Sequence, residues 1–181
     1  MNEFLSEFQK SCLGQVGESE LSKYFYWSGG TALSYFYLQH RFSEDLDFLS
    51  PDLLPDDYLL AQVRKLAKNL QIKKIEEKKR FNRNEFILKK GKKVLRIEFI
   101  YYPFNSLKKP GQLKDLKIKI DSLEDIATNK TQAIFERVEP KDTFDLYWIL
   151  KRKKIKFLTL FRWVEKKFGL EIDPVINWIN F

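Results

Sequence analysis

Two aspartates, Asp45 and Asp47, stand two residues apart in a segment that we predict to be a strand, residues 42–49. Side chains two apart on a strand share a face, so these carboxylates would project together while Leu46 and Phe48 point into the core. Two carboxylates ~5 Å apart repel by roughly 3 kcal/mol at an effective dielectric of 20. A divalent cation removes that repulsion, and oxygen ligands suit Mg²⁺ or Mn²⁺. The pair predicts a metal site, the alternative being an exposed acidic end of a strand.

A glycine pair lies between a short aromatic strand, predicted at residues 24–27, and an apolar helix predicted from residue 31 to residue 38. Glycines let the backbone approach a ligand closely, and a helix start presents unpaired N–H groups to an anion. Thr31 adds a hydroxyl donor. The four residues are Ser28, Gly29, Gly30 and Thr31. They indicate a phosphate-binding turn, or else an ordinary turn between two elements.

A third carboxylate, Glu98, lies on a predicted strand whose apolar positions, Leu95, Ile97 and Phe99, share the opposite face. If this strand neighbours the first acidic strand, Glu98 completes a triad with the two aspartates. The alternative is a surface ion pair between Glu98 and Arg96.

Four charged residues occupy two consecutive predicted helices. Lys130 and Arg137 are seven apart and share a face of the first helix, while Asp142 and Asp145 share a face of the second. A lysine is a suitable point charge for a phosphate, and a planar guanidinium can clamp one. The alternative is a cluster of salt bridges between the helices.

The elements that position these residues alternate without a regular strand–helix–strand repeat, so we predict an α+β fold. Three strands fill residues 72–102, with a turn at 90–92. The capping pattern at Ser122 starts a helix that ends near Arg137. The remaining predicted elements are helices at 2–13, 56–70, 140–150 and 157–168 and a strand at 118–120.

The composition of the chain excludes several classes of protein. Its 181 residues are 44% apolar and include 16 Phe, enough for a core. No apolar run approaches the ~18–20 residues of a membrane span, and the first ten residues lack the pattern of a secretory signal. One cysteine, Cys12, and one histidine, His40, exclude an internal disulfide and a Cys/His zinc site. We expect a cytoplasmic protein.

Positive charge is concentrated in the middle of the chain. The formal net charge is +8, and residues 73–119 alone hold 16 basic and 5 acidic side chains. Such a region either attracts a polyanion such as RNA or forms a well-solvated lysine surface.

The order of these segments resembles that of the DNA polymerase beta-like nucleotidyltransferases, and more closely that of the AbiEii/AbiGii-type nucleotidyltransferase toxins. The resemblance covers roughly residues 20–150 and is carried by 27–33 (WSGGTAL), 40–48 (HRFSEDLDF), 122–125 (SLED), Lys130, Ala133, Arg137 and 141–146 (KDTFDL). It implies a mixed sheet flanked by helices, with a nucleotidyltransferase core at 1–120 and a short C-terminal helical region at 121–181 packed on it. Two departures are Thr31, where the wider superfamily has serine, and the short chain after the last motif.

The activity implied by the resemblance is metal-dependent transfer of a nucleoside monophosphate from an NTP to an acceptor such as a tRNA 3′ end, by the toxin of a toxin–antitoxin system. Mg²⁺ or Mn²⁺ would be held by Asp45, Asp47 and Glu98. Lys130, Asp142 and Asp145 would also be catalytic. The implied nucleotide-binding residues are Ser28, Gly29, Gly30, Thr31, Arg41, Lys130 and Arg137.

The implied partners are an NTP, an RNA acceptor bound through residues 73–119 and an antitoxin protein, with no membrane. Three alternatives stay open: a noncatalytic RNA-binding or antitoxin-like module, a nucleotidyltransferase acting on a protein hydroxyl, and a metal-dependent phosphodiesterase using the same acids.

Overall fold

The computed structural model describes residues 4–137 and 139–170, which divide into two compact units. The first unit extends to Pro103 and resumes at Pro110–Asp121, and the second comprises Phe104–Lys109 and the residues from Ser122 onward. The domains expected at 1–120 and 121–181 stay a prediction, since a compact unit need not be a domain that folds by itself. Residues 171–181 of the expected C-terminal region lie outside the described residues.

A seven-stranded mixed sheet forms the centre of the first unit, in the order β3-β4-β5-β2-β1-β7-β6. The pairs β2–β5 and β1–β7 are parallel, and the other neighbours are antiparallel. The strands are β1 Tyr26–Ser28, β2 Leu46–Ser50, β3 Lys74–Arg80, β4 Arg83–Lys90, β5 Lys93–Tyr101, β6 Gly111–Leu113 and β7 Ile118–Ile120. A mixed sheet accompanied by helices is the predicted arrangement.

Aromatic side chains from adjacent strands hold the sheet in register. Phe48 on β2 pairs with Phe99 on β5, and their rings stack with centroids 5.2 Å apart. Phe25 and Phe86 meet the Phe99 ring edge-on, at 4.9 and 6.1 Å. All four side chains are buried, as is Trp27 on β1. A one-residue slip of β2 would turn Phe48 away from this cluster, so the same packing fixes which way Asp47 points.

The helices of the first unit begin at residues that the local chemistry selects. Ser6 and Gln9 form a reciprocal capping box, so α1 begins at Glu7 and runs to Glu18, past the predicted end at residue 13. Residues 2 and 3 of the predicted helix at 2–13 lie outside the described residues. Cys12 on α1 is completely buried. The other helical segments are α2 Leu21–Tyr24, α3 Gly29–Ala32 with its π-helical continuation Leu33–Leu38, α4 Asp56–Asn69 and a 3₁₀ turn at Lys114–Leu116. Because Tyr24 ends α2, the first strand begins at Tyr26 and not at residue 24.

The described part of the second unit contains three helices, α5 Leu123–Glu136, α6 Pro140–Lys153 and α7 Phe157–Phe168. The predicted starts of α5 and α6 hold: the Ser122 hydroxyl accepts the Asp125 N–H at 2.9 Å, and Pro140 opens α6. Helix α6 extends to Lys153, three residues beyond the predicted end at 150. Gly169, with φ +67°, ends α7. None of the helices described here combines the length and apolarity that crossing a membrane requires.

A buried ion pair ties the segment Phe104–Lys109 to these helices. Asp125 is fully buried and accepts the backbone N–H groups of Leu107 and Lys108 at 2.9 and 3.0 Å. It also binds the ammonium of Lys167 on α7 at 2.6 Å. Burial raises the pKa of Asp125, but the hydrogen bonds from Lys167, the two backbone N–H groups and Ser122 outweigh it and hold the pKa below 3.8.

Candidate active site

The glycine turn and Asp47 lie against each other in the first unit. Ser28, the last residue of β1, pairs with Asp47 on β2, and the chain then leaves the sheet at Gly29 with φ +75°. A Cβ placed on Gly29 would lie 2.0 Å from the Asp47 Oδ2 atom. Only glycine fits this position, because any larger residue would displace the carboxylate. The turn and the acidic strand therefore share one location, as predicted.

Asp45 does not lie on the strand, which corrects the prediction of a strand at 42–49. The Thr31 hydroxyl donates to the Asp45 carbonyl, and the Gln9 side-chain amide donates to the carbonyls of residues 43 and 44 at 2.9 and 3.1 Å. Because side chains bind these carbonyls, residues 43–45 need no neighbouring strand, and β2 begins at Leu46. Thr31 thus fixes the backbone next to the candidate metal ligand.

Glu98 lies beside Asp47, as the prediction of a carboxylate triad required. Parallel pairing of β2 with β5 sets Asp47 opposite Glu98, and antiparallel pairing of β5 with β4 sets Glu98 opposite Glu85. Neighbouring strands are about 4.8 Å apart, so three acids form a row across one face. Glu85 was missed by sequence reasoning, because the alternation of residues along β4 does not reveal which residue of the neighbouring strand lies opposite Glu85. Both glutamates are 5% exposed, and like charges in this arrangement require cations nearby.

Two arginines supply that positive charge. Arg96 contacts Asp45 and lies 3.6 Å from Glu98 and 3.8 Å from Glu85. Arg83 donates to the other Glu98 oxygen at 2.8 Å. The hydrogen bond to Asp45, more than the opposing effect of burial, raises the pKa of Arg96 above its ordinary value. Arg96 and Glu98 do form a pair in which Glu98 is buried and the Arg96 side chain is 39% exposed. Arg96 also engages Asp45 and Glu85, so the contact is more than the simple surface pair considered as an alternative.

The three carboxylates predicted to hold a metal do not form one group of ligands. Within residues 4–137 and 139–170, no three His, Cys, Asp or Glu side chains lie together so that they could hold a metal ion. Arg96 contacts the Asp45 carboxylate, and Arg83 donates to Glu98 at 2.8 Å. Asp45 and Asp47 are half-buried carboxylates, a ligand type that suits Mg²⁺ or Mn²⁺. Metal binding by Asp45, Asp47 and Glu98 stays a prediction.

Arg41 also lies at the glycine turn. A Cβ on Gly30 would be 2.6 Å from the Arg41 Nη2 atom and 3.0 Å from the Ser43 hydroxyl. The Ser34 hydroxyl donates to the Arg41 carbonyl and anchors its backbone. A guanidinium against a glycine turn suits phosphate oxygens. Ser43 belongs to the 40–48 motif, and its hydroxyl also lies close to Gly30, so we include it in the candidate site.

Ser28 has a structural contact that the sequence did not reveal. Its hydroxyl donates to the fully buried carboxylate of Asp121 at 2.7 Å. Asp121 also donates its N–H to the Trp27 carbonyl and accepts the Tyr37 hydroxyl on its own carbonyl, both at 2.8 Å. These contacts link the end of β1 with the end of β7. The 122–125 motif begins one residue later and does not include Asp121, so the parallel β1–β7 pairing is what places Asp121 beside Ser28.

The remaining predicted residues cluster in the second unit. The Lys130 ammonium on α5 contacts Asp142 and lies 3.0 Å from Asp145, both on α6. Arg137 reaches Asp142 at 3.1 Å. Asp142 and Asp145 are completely buried, and Lys130 is 9% exposed. The four residues come together as an ion-pair network between helices, the alternative that the sequence left open.

Comparison with known proteins identifies the family. A family model described as the nucleotidyl transferase AbiEii toxin of type IV toxin–antitoxin systems matches residues 12–172. The chain belongs to the AbiEii family. The match includes the glycine turn, both aspartates, Glu98 and the α5–α6 ion-pair network, so every predicted site residue lies within the family region.

Individual relatives agree with this membership. An uncharacterised protein of Aquifex aeolicus is 30% identical over 166 residues, which cover 91% of this chain and 76% of the relative. A solved structure from H. pylori, described as a candidate nucleotidyltransferase, has a TM-score of 0.65 at 22% identity, covering 97% of this chain and 88% of the other. JHP933 from Helicobacter pylori has a TM-score of 0.64 at 21% identity, covering 97% and 85%. These structures share the fold of the AbiEii chain described here.

Proposed function

We propose that this AbiEii protein transfers a nucleoside monophosphate from an NTP to a hydroxyl of an RNA acceptor, and that transfer depends on Mg²⁺ or Mn²⁺. The observation that carries the proposal is the Asp47 carboxylate lying against the glycine turn at Gly29. Family membership supports nucleotidyltransferase activity. A turn that admits phosphate oxygens beside carboxylates that hold a cation is the minimum such a reaction requires.

The turn and Arg41 bind the nucleotide in this proposal. The N–H groups at the start of the helical segment after Gly29 face the phosphates, and Gly30 leaves room for the Arg41 guanidinium beside them. Thr31 acts indirectly, because its hydroxyl holds the Asp45 carbonyl. A divalent cation held by Asp45 and Asp47 would neutralise phosphate charge and the charge of the leaving pyrophosphate.

The bond changes follow from the substrates. The acceptor hydroxyl oxygen forms a bond to the α-phosphorus, the bond from that phosphorus to the bridging oxygen breaks, and pyrophosphate leaves. The hydroxyl loses its proton to a carboxylate, a role we assign to Glu98 because β-sheet register sets it beside Asp47. Arg83 and Arg96 keep Glu98 oriented towards this face.

The role expected for Lys130, stabilising negative charge on the phosphates, stays a prediction. In the second unit its ammonium is held by Asp142 and Asp145. Arg137 also pairs with Asp142.

RNA is proposed as the acceptor because residues 73–119 carry a strong excess of basic side chains. Not all of these are available to a ligand: Lys89 binds Glu76 at 2.8 Å, and Lys90 donates to the Leu70 carbonyl at 2.8 Å. Lys92 and Lys93 follow at the exposed β4–β5 turn. An antitoxin partner is proposed from the type IV family alone.

The deciding experiment incubates the protein with each radiolabelled NTP, Mg²⁺ or Mn²⁺, and total cellular RNA and protein. We expect label to appear on RNA. Label on protein would identify a protein-modifying enzyme, shortened RNA without label a phosphodiesterase, and RNA binding without either a noncatalytic module. Each of these three outcomes contradicts the proposal.

Replacing Asp47 or Asp45 by asparagine tests the carboxylate pair. We expect Asp47→Asn and Asp45→Asn each to abolish transfer, with little change in Tm in the presence of EDTA, because the amide cannot hold the cation. Asp57→Asn on the exposed side of α4 is the matched control and should retain activity. Full activity in both site variants would rule out the metal-dependent mechanism.

A further inference from the structure

The outer face of α6 carries three aromatic rings, two exposed and one, Trp148, half-buried. Phe144, Tyr147 and Trp148 are spaced so that they lie along one side of the helix. Phe144 is 44% exposed and Tyr147 52%. The opposite side of α6 is buried and contains Leu146 and Ile149. Large rings left this exposed on a helix whose other face is packed are typical of an interaction surface.

Cations lie close to two of these rings, Tyr147 and Trp148. The Lys151 ammonium lies 5.4 Å from the centre of the Tyr147 ring and 5.2 Å from that of Trp148. The Arg152 guanidinium lies 4.5 Å from the Trp148 ring. Phe144 and Tyr147 both meet Trp148 edge-on, at 6.3 and 5.7 Å. The five side chains therefore form one patch, which we call the α6 patch.

The charge around the α6 patch is of one sign. Between Asp145 and Glu165 the sequence has six basic side chains and no acidic one. Residues 151–154 are all exposed. Acidic polymers are therefore attracted to this end of α6. The flat rings beside the cations favour those acidic polymers that also carry flat bases. Exposed rings interleaved with Lys and Arg suit unstacked bases linked by phosphates.

We propose that the α6 patch binds single-stranded RNA, with bases stacked on Tyr147 and Phe144 and phosphates held by Lys151 and Arg152. This inference rests on the proposed function for the choice of RNA as partner. It assigns that RNA a contact outside residues 73–119. Its evidence, the ring and cation geometry of the second unit, is independent of the carboxylate pair.

The test measures fluorescence anisotropy of a labelled oligouridylate about 12 nucleotides long, a length that one binding module covers. The full chain is used without NTP or divalent cation, so failure of transfer and failure of RNA binding are separate results. We expect Tyr147→Ala to weaken binding about fivefold or more, as loss of one stacking ring does. Tyr147→Phe, which keeps the ring, should bind within about twofold of the wild type.

Charge and specificity are tested in the same assay. Lys151→Gln combined with Arg152→Gln should reduce the slope of log affinity against log salt by about 1.4, the value for two lost phosphate contacts on a single strand. Leu158→Ala, which removes another exposed apolar side chain from the second unit, should leave binding unchanged. Tm measurements verify that each variant is folded.

Three results would overturn the inference. The first is wild-type affinity in a folded Tyr147→Ala variant, and the second is equal affinity for a duplex RNA, which offers no unstacked bases. The third is a set of α6 variants that bind the oligouridylate normally but no longer bind a cognate antitoxin protein. That last result would identify the α6 patch as a protein-docking surface.

Discussion

At the scale of single residues, the site depends on the absence of a side chain at position 29. The left-handed φ of Gly29 and the 2.0 Å separation between its would-be Cβ and Asp47 Oδ2 make two separate demands for glycine. The first is a property of the backbone alone, and the second concerns the carboxylate that the proposed reaction would use. A suitable control variant can separate these two demands.

Gly29→Ala is expected to lower stability by about 1–2 kcal/mol through its left-handed backbone and also to abolish transfer, because Asp47 must rotate away. Gly169→Ala has the same backbone problem, with φ +67° and no atom within 4 Å of the added Cβ. It should lose similar stability and keep its activity. Thermal unfolding and the transfer assay measure the two effects, and an active Gly29→Ala variant would show that the Asp47 position tolerates displacement.

Part of the candidate site could be predicted from residue types in the sequence. The rest depends on contacts between residues far apart in the chain, which only the structure reveals. The turn and the aspartates could be predicted because glycine freedom and carboxylate spacing are local properties. The hydrogen bond from Thr31 to the Asp45 carbonyl could not be predicted. It joins residues 14 apart, and from the sequence alone the Thr31 hydroxyl could equally have bound a phosphate. Glu85 and Asp121 were missed because strand register alone identifies their neighbours.

At the scale of elements, boundaries were predictable wherever a residue fixes its own backbone. Pro140, Gly169 and the turn glycine Gly91, with φ +60°, all mark ends correctly. The start of β2 was not predictable, because Gln9 on α1 binds the carbonyls that precede it. A distant side chain can end a strand without leaving any sign in the strand's own sequence.

The start of α5 carries a pH-dependent contribution to stability. Since the pKa of Asp125 is held below 3.8 in the folded protein, its contribution is present above that value and is lost as the pH falls through the lower, folded-state pKa. Asp125→Asn also removes the carboxylate that the buried Lys167 ammonium binds, at a cost of about 3–5 kcal/mol near neutral pH. The difference in Tm between wild type and variant should shrink as the pH is lowered from 7 to 3.

The double variant Asp125→Asn with Lys167→Met separates the contribution of the Asp125–Lys167 ion pair to stability from that of the other hydrogen bonds to Asp125. Methionine fills the space of the lysine stem and needs no counter-charge, so the double variant should be more stable than Asp125→Asn alone. If Lys167→Met failed to restore any stability, the loss would come from the backbone N–H groups of Leu107 and Lys108 and not from the buried ammonium.

At the scale of the whole molecule, the net charge of +8 is distributed over both units. The first unit has its basic excess at the β4–β5 turn and the second at the end of α6. A polyanion such as RNA is attracted by net positive charge alone. A direct contact between RNA and particular lysines must therefore be distinguished from this attraction by net charge.

Reversing charge at the β4–β5 turn makes that distinction. Lys92→Glu with Lys93→Glu should weaken binding of the oligouridylate and lower its salt slope by at least about 1.4. Lys65→Glu with Lys68→Glu makes the same charge change on the exposed side of α4. A smaller effect in the α4 variant supports a contact at the turn, and equal effects would mean that these lysines act only through net charge.

The buried thiol on α1 makes the protein convenient for chemical labelling. Cys12 is the one cysteine in the sequence, its side chain is 0% exposed, and burial raises its pKa to about 12. At neutral pH about one molecule in 10⁵ would carry the reactive thiolate, and maleimide or iodoacetamide would have no path to it. A cysteine introduced at Lys92 or Lys153 would therefore be the only site that takes up a dye or crosslinker, with the natural cysteine left in place.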